Sequence, residues 1–120
     1  MTKQEMSERN KQYAIAVARL TLILPYNNVN KNYSNQIIRS SSSSAANYRA
    51  ALRGKSTPDF INKLKIVEEE LDETIFFLEL LHEFNPDAIQ KINGLLKEGN
   101  ELLSIIVASL KTLRSNSNKS

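Results

Sequence analysis

The sequence of 120 residues contains no cysteine, and it has only three glycines and three prolines. Without cysteine the chain has no disulfides, no thiolate metal ligands and no cysteine nucleophile. The scarcity of glycine and proline leaves few turns, which disfavours a protein of many short strands. The one histidine, His82, offers little acid–base chemistry near neutral pH. We therefore expect an all-α protein that is not an enzyme and has no catalytic residues and no cofactor.

Long apolar runs are missing as well. No apolar stretch approaches the roughly 20 residues that a bilayer-spanning helix needs. The most apolar segment, residues 14–24, is interrupted by Arg19, and the residues after it lack the small-residue pattern of a signal-peptide cleavage site. We therefore expect a cytoplasmic protein with no membrane partner. At this length the chain suits one domain that buries its own core.

Charge is divided unevenly between the two parts of the chain. Residues 1–65 carry eleven Lys and Arg against three Asp and Glu, a net charge of +8, whereas residues 66–120 carry five against ten, a net charge of −5. Either basic and acidic helices pack side by side and neutralise each other, or the basic part presents a surface for nucleic acid or an acidic partner. The sequence leaves both interpretations open.

Apolar residues recur with helical spacing in four segments. Pro25 and the asparagine-rich stretch after it end the first segment, and Gly54 ends the second. The motifs at 56–59 (STPD) and 85–87 (NPD) are start signals for the third and fourth, because a capping side chain precedes proline and an acidic residue in the first turn. The predicted helices are at about residues 7–24, 31–53, 58–83 and 87–114.

The two ends of the chain are polar and are predicted to be disordered, over residues 1–6 and 115–120. The connections between the four helices are short. Helices joined in this way run antiparallel to their neighbours in sequence. The predicted fold is therefore an up-down-up-down four-helix bundle over residues 7–114.

Five consecutive serines, residues 40–44, are predicted to lie inside the second helix and not in a linker. On a helical wheel of about 100° per residue, the small residues of this region form one narrow stripe with apolar residues on either side. That angular order would be accidental in a flexible linker. A stripe of small side chains lets two helix axes approach closely. The predicted close-packing residues are Ser40, Ser44, Asn47 and Ala51.

Another face of the second helix is basic. Arginine suits bidentate contact with phosphate, so this face favours nucleic-acid binding. The alternative is a solvated surface with no ligand. The predicted nucleic-acid-binding residues are Lys31, Arg39, Arg49, Arg53 and Lys55.

The third helix carries a second apolar strip beside its core-facing stripe. A monomeric bundle needs to bury only one stripe per helix, so the excess predicts an oligomer interface. The alternative is that the bundle wraps around the third helix on more sides. Phe76 and Leu80 are the expected anchors. The predicted interface residues are Ile66, Glu69, Glu73, Phe76, Phe77 and Leu80.

Glu79 and His82 have the Glu-x-x-His spacing of di-iron bundles. Such a site needs a second pair of this kind and two further glutamates. The chain has no second histidine, and the acidic residues 68–73 spread around most of the helix circumference. We therefore predict no metal site, and we expect these acidic side chains to be solvated or paired with arginines of the second helix.

Several segments carry a family resemblance: 36–40 (QIIRS), 46–50 (ANYRA), 59–73 (DFINKLKIVEEELDE) and 106–112 (IVASLKT). They resemble the four-helix bundle protein family first noticed in reading frames within intervening sequences of bacterial 23S ribosomal RNA genes. The resemblance extends over about residues 13–114. It implies an up-down-up-down bundle that assembles into a homopentamer. It also implies similarity to the accessory variability protein of diversity-generating retroelements, a basic pentamer that binds nucleic acid and works with a reverse transcriptase.

The better-known branch of this family carries an Asn-x-x-Glu-Gly pattern in the second helix, where this sequence has Ala50 and Ala51 at the last two positions. The chain resembles a sibling branch instead. We predict a non-catalytic homo-oligomer that binds RNA, or a nucleic-acid enzyme such as a reverse transcriptase, through the basic face of the second helix. The alternative is a structural or protein-interaction oligomer with no nucleic-acid role.

Overall fold

The computed structural model of the protein describes residues 1–117, in which four α-helices form an elongated bundle of 53 × 22 × 20 Å. The prediction of an all-α protein with four helices is confirmed. A short 3₁₀ turn, Pro86–Ala88, precedes the last helix. The helices are α1 (Lys3–Ile23), α2 (Asn28–Ala51), α3 (Thr57–Phe84) and α4 (Ile89–Ser117).

Each helix packs against its neighbours in sequence, and α4 closes the bundle against α1. No Cα atoms of the diagonal pairs α1–α3 and α2–α4 lie within 8 Å of each other in residues 1–117. The helices therefore alternate in direction around the bundle. We call the end that holds the α1–α2 and α3–α4 connections the upper end, and the end that holds the α2–α3 connection the lower end.

Both ends of the chain are more helical than the sequence pattern predicted. At α1 the Thr2 hydroxyl accepts a hydrogen bond from the Glu5 backbone N–H (3.0 Å), and the Glu5 carboxylate accepts one from the Thr2 N–H (3.3 Å). This capping box starts the helix at Lys3, and Met6 is buried. The prediction of a disordered segment at residues 1–6 is therefore wrong. Helix α4 includes residues 115–117 of the tail predicted to be disordered, and residues 118–120 lie outside the described range.

The other helix starts differ from prediction by a few residues. The Asn27 side chain accepts a hydrogen bond from the Asn30 N–H (2.8 Å), so α2 begins three residues earlier than predicted. The Ser56 hydroxyl caps α3 by accepting from the Asp59 N–H (3.3 Å), as the start motif indicated. The 3₁₀ turn delays α4 until Ile89.

Side chains from all four helices form one core, but α2 contributes few large ones. Its buried positions are mostly small: Ser40, Ser41, Ser44 and Ala51 are all nearly inaccessible to solvent. The Ser40 hydroxyl lies 2.7 Å from the Thr74 hydroxyl of α3, and the Ser44 hydroxyl donates to the Asn10 side chain of α1 (3.4 Å). The serine run therefore lies inside a helix that packs between α1 and α3.

Asn47, the fourth residue of the predicted small stripe, is only partly buried. Its side-chain amide donates to the backbone carbonyl of Ser43 (2.9 Å) on its own helix. Ser41, which was not predicted to be in the stripe, is buried instead. The buried face of α2 is thus rotated slightly from the predicted one.

A tyrosine and a glycine meet where α1 packs against α4. Gly99 is buried beneath Tyr13, and a Cβ atom at this position would overlap the Tyr13 hydroxyl and lie 3.2 Å from Ile75 Cγ1. The Tyr13 hydroxyl has no protein hydrogen-bond partner among the described residues, and its burial raises the pKa of the phenol. Beside it, the Arg9 guanidinium binds Glu98 (2.6 Å) and Glu101 (2.6 Å).

Two asparagines join the connections at the upper end. The Asn30 amide donates to the Asn85 side-chain oxygen (2.9 Å), and the Asn85 amide donates back to that of Asn30 (2.8 Å). Both side chains are buried. This reciprocal pair ties the α1–α2 connection to the α3–α4 connection. Among the helices of residues 1–117, none combines the length and the apolar character needed to cross a bilayer.

Candidate nucleic-acid interface

A groove of about 530 Å³ runs between α1 and α2 near the lower end of the bundle. Its floor is open because small side chains line it: Ser7 on α1, and Ala45 and Ala46 on α2. Larger side chains at these positions would fill the space between the two helices. The groove is lined by Gln4, Ser7, Glu8, Lys11, Ala45, Ala46, Arg49, Leu52 and Arg53.

Three cationic side chains line this groove from both helices. Arg49 is in the last turn of α2, Arg53 follows four residues later, and Lys11 belongs to α1. Glu8 is the one acidic residue of the lining, and its carboxylate accepts a hydrogen bond from the Gln12 amide (3.0 Å). The lining therefore carries a net charge of +2.

The cations of the groove have no acidic partner in the part of the chain that the structure describes. Within residues 1–117, the ion pairs involve only Arg9 and Arg39 among the basic residues. Lys11, Arg49 and Arg53 therefore keep their hydrogen-bond donors for solvent or a ligand. An arginine in this state presents a planar fork of donors that matches a phosphate.

The structure separates the five predicted basic residues into four different environments. Lys31 is exposed in the first turn, about 27 Å along the helix from Arg49. Arg39 pairs across to α3, with Glu70 (Nη1–Oε2 3.4 Å) and with Glu73. Lys55 is exposed in the connection that follows Arg53 at the lower end. Only Arg49 and Arg53 of the five predicted residues line the groove.

Neutralisation by acidic helices therefore applies to only part of the basic face of α2. Arg39 is neutralised by the acidic face of α3, whereas Arg49 and Arg53 lie beyond the acidic run and are unpaired within the described residues. The part of α1 that lines the groove contributes Lys11 and Glu8, whose charges offset each other, so the net positive charge comes from the two arginines of α2.

Sequence reasoning missed Lys11, because it considered the basic face of α2 alone. A signal was present in α1, where Ser7, Ala14 and Ala18 recur with the i, i+7, i+11 spacing of one helix face. Lys11 falls at i+4 of the same series. A stripe of small residues marks the side from which a neighbouring helix approaches. The stripe on α1 therefore indicated that Lys11 lies next to a neighbouring helix, which in the structure is α2.

The predicted interface residues of α3 lie on its outer side. Phe76 is 54% exposed and Ile66 is 37% exposed, whereas Phe77 and Leu80 are partly buried. The rings of Phe76 and Phe77 pack edge to face with centroids 5.5 Å apart. Phe84, which was not predicted, is also exposed, so the apolar strip continues to the upper end.

The two glutamates of that prediction differ in environment. Glu69 is exposed, whereas Glu73 is partly buried and paired with Arg39. The Glu79 and His82 pair also lies on α3, with Glu79 exposed and His82 partly buried. Among residues 1–117, no three side chains of His, Asp or Glu are grouped so that they could hold a metal ion.

Comparison with known proteins identifies a similar solved structure and a matching protein family. A solved structure described as a protein with unknown function from the S23 ribosomal protein family, from Bacteroides thetaiotaomicron, is similar with a TM-score of 0.77 and 29% sequence identity. The similarity covers 88% of this chain and 98% of that one. No curated protein sequence matches significantly. The pattern of the 23S rRNA-intervening sequence protein family matches residues 2–108, and this protein therefore belongs to that family.

Proposed function

We propose that this protein is a non-catalytic homo-oligomer that binds RNA through the cationic groove between α1 and α2. The observation that carries the proposal is the convergence on one open groove of Lys11, Arg49 and Arg53, none of which pairs with an acid of residues 1–117. A phosphodiester strand supplies the negative charge that the groove lacks. The small floor residues allow the strand to approach the helix backbones.

The proposal extends to the assembly and its location. The exposed apolar strip of α3 supports self-association, and the family resemblance of the sequence favours a ring of five copies. An oligomer would present several cationic grooves to one RNA molecule, and their binding energies would reinforce each other. Because the ligand is cellular RNA, we place the protein in the cytoplasm.

The test measures the affinity of the protein for a fluorescent single-stranded RNA at several salt concentrations. Removing a phosphate-binding cation lowers the affinity and flattens its salt dependence, since fewer counterions are released on binding. For Arg49→Gln and Arg53→Gln we expect the slope of log K against log salt to fall by about 0.7 or more for each arginine. We expect a similar fall for Lys11→Gln.

Lys31→Gln is the matched control, because it removes the same charge at the opposite end of α2. Its affinity should stay within twofold of the original protein. If affinity for RNA is absent or insensitive to salt, the proposal is wrong, and an oligomer that binds a protein, such as a reverse transcriptase, or that has a purely structural role takes its place. If Lys31→Gln and Arg49→Gln weaken binding equally, the binding surface is not the groove.

A further inference from the structure

A second groove, of about 630 Å³, lies between α1 and α4 at the upper end of the bundle. Its lining is mainly apolar, and two of its residues are well exposed for their type: Leu22 is 83% exposed and Ile23 is 53% exposed. Such exposure is costly unless another surface covers it. The groove is lined by Ala16, Arg19, Leu20, Leu22, Ile23, Lys91, Gly94 and Leu95.

Near the upper end of the bundle, the charges that border the two apolar surfaces are of opposite sign. Arg19 and Lys91, both exposed, border the α1–α4 groove. The α3 strip, consisting of Ile66, Phe76, Phe77, Leu80 and Phe84, is bordered by exposed acidic residues on the same helix. These are Asp72, Glu79 and Glu83. An apolar strip with an acidic border is complementary to an apolar groove with a basic border.

The two surfaces lie on opposite sides of the bundle, because α3 is diagonal to α1 and the α1–α4 side faces away from the α2–α3 side. They nevertheless lie at the same level along it. Helices α1 and α3 run in the same direction, and both surfaces belong mainly to their C-terminal halves, residues 16–23 and 76–84. A neighbour can therefore bind without shifting along the bundle axis.

We propose that the α3 strip of one copy docks into the α1–α4 groove of the next copy. This inference rests on the proposed self-association and names both surfaces of the contact. A contact between two different surfaces repeats from copy to copy, and it closes into a ring when the repeat is a rotation without translation. The equal level of strip and groove meets that condition. In such a ring all lower ends, with their cationic grooves, lie on the same rim.

Gly94 provides a way to block the groove without disturbing the fold. A Cβ atom at this position would meet no other atom within 4 Å, and the residue is exposed inside a helix. Gly94→Glu therefore leaves the bundle intact and raises helix propensity. It also places bulk and negative charge in a groove that would receive the acidic α3 strip. Phe76→Glu blocks the strip in the same way and leaves the groove intact.

The experiment determines the mass of each variant by analytical ultracentrifugation, with circular dichroism to verify helicity. We expect the original protein and the control Gly94→Ala to be oligomeric, and Gly94→Glu and Phe76→Glu each to be monomeric. A mixture of the two monomeric variants retains one intact strip and one intact groove. It should therefore form a heterodimer of one copy each and nothing larger.

Other outcomes overturn the inference in distinguishable ways. If Gly94→Glu assembles like the original protein while Phe76→Glu is monomeric, the strip pairs with another strip; the docking inference then fails while self-association stands. If both variants are monomeric and their mixture forms no heterodimer at the highest concentration reached, the two surfaces do not bind each other. If the original protein is monomeric, self-association fails too, and RNA binding is judged separately by the groove variants.

Discussion

Helix α2 packs against α1 and α3 through several small hydroxyl side chains, whereas at the α1–α4 contact, which we call the α1–α4 seam, a large side chain, Tyr13, packs over a single glycine, Gly99. The serines of α2 lie close to their neighbours with their hydroxyls hydrogen-bonded: Ser40 meets Thr74, and Ser44 meets Asn10. At the α1–α4 seam, the Tyr13 hydroxyl lies where the Cβ atom of any larger residue at position 99 would be.

The two contacts differ in how far their packing depends on a single residue. Close approach along α2 is distributed over four small residues, and a serine can become alanine at the loss of one or two hydrogen bonds. At the α1–α4 seam the packing of Tyr13 depends on Gly99 alone, because a Cβ atom there would overlap the Tyr13 hydroxyl. It also leaves the buried tyrosine hydroxyl without a protein partner within residues 1–117. We therefore expect the α1–α4 seam to be much less tolerant of substitution.

The largest effect should come from Gly99→Ala. Its Cβ would overlap the Tyr13 hydroxyl, so Tyr13 or α4 must shift, and we expect a loss of about 1 to 3 kcal/mol in the free energy of unfolding by urea. Gly94→Ala is the matched control on the same helix, because its Cβ meets nothing. That variant should gain up to about 1 kcal/mol from helix propensity.

Combining Gly99→Ala with Tyr13→Phe identifies the cause of the loss. Removing the hydroxyl removes the overlapping atom, so the double variant should recover much of the stability that Gly99→Ala loses. Strictly additive effects of the two substitutions would contradict the proposed overlap. Equal stability of Gly99→Ala and Gly94→Ala would remove the distinction between the two seams.

An intermediate effect is expected from Ser44→Leu. The longer side chain must fit where α2 meets α1, and we expect a loss near the lower end of the roughly 1 to 3 kcal/mol that overpacking costs, because the close approach is shared among four small residues. Ser44→Ala should be nearly silent, since the hydrogen bond to Asn10 is long (3.4 Å) and a neutral hydrogen bond contributes only about 1 kcal/mol. Melting temperatures of the two variants measure the contrast. If both variants melt alike, the small side chain is not needed at this position.

The smallest effect should be a change in acid stability at the α1–α4 seam. Hydrogen bonding to Arg9 lowers the pKa of the Glu98 carboxyl below its usual value of 4.5. Because the folded-state pKa is lowered, the pair stabilises the fold above the unfolded-state pKa, and this contribution is lost as the pH falls through the folded-state pKa. Arg9→Gln should therefore reduce urea stability at pH 7 and have less effect at pH 3.

Arg39→Gln is the control for that measurement, because Arg39 also pairs with two glutamates but its side chain is half exposed. Its effect at pH 7 should be smaller, since exposed ion pairs contribute little. An Arg9→Gln effect that does not depend on pH would show that the ion pair with Glu98 does not stabilise the seam.

Local sequence patterns were sufficient for most of the fold. The 3.6-residue periodicity located four helices, and the Ser56 cap followed from its motif. The missed start of α1 was also a local pattern, since Thr2 and Glu5 have the spacing of a capping box. The continuous basic face predicted for α2 was less accurate, because a wheel shows which residues share a side of a helix and not what they meet there.

The sequence by itself determined the helices, their order and the presence of a small, a basic and an apolar face, because these depend on spacing along one chain. Only the tertiary structure decided which charges remain free. The axial register of α2 against α3 places Glu70 and Glu73 beside Arg39, and the approach of α1 brings Lys11 to Arg49 and Arg53. The contact between Tyr13 and Gly99 also depends on the tertiary structure. These two residues are 86 positions apart in the sequence, and they meet only because all four helices pack together.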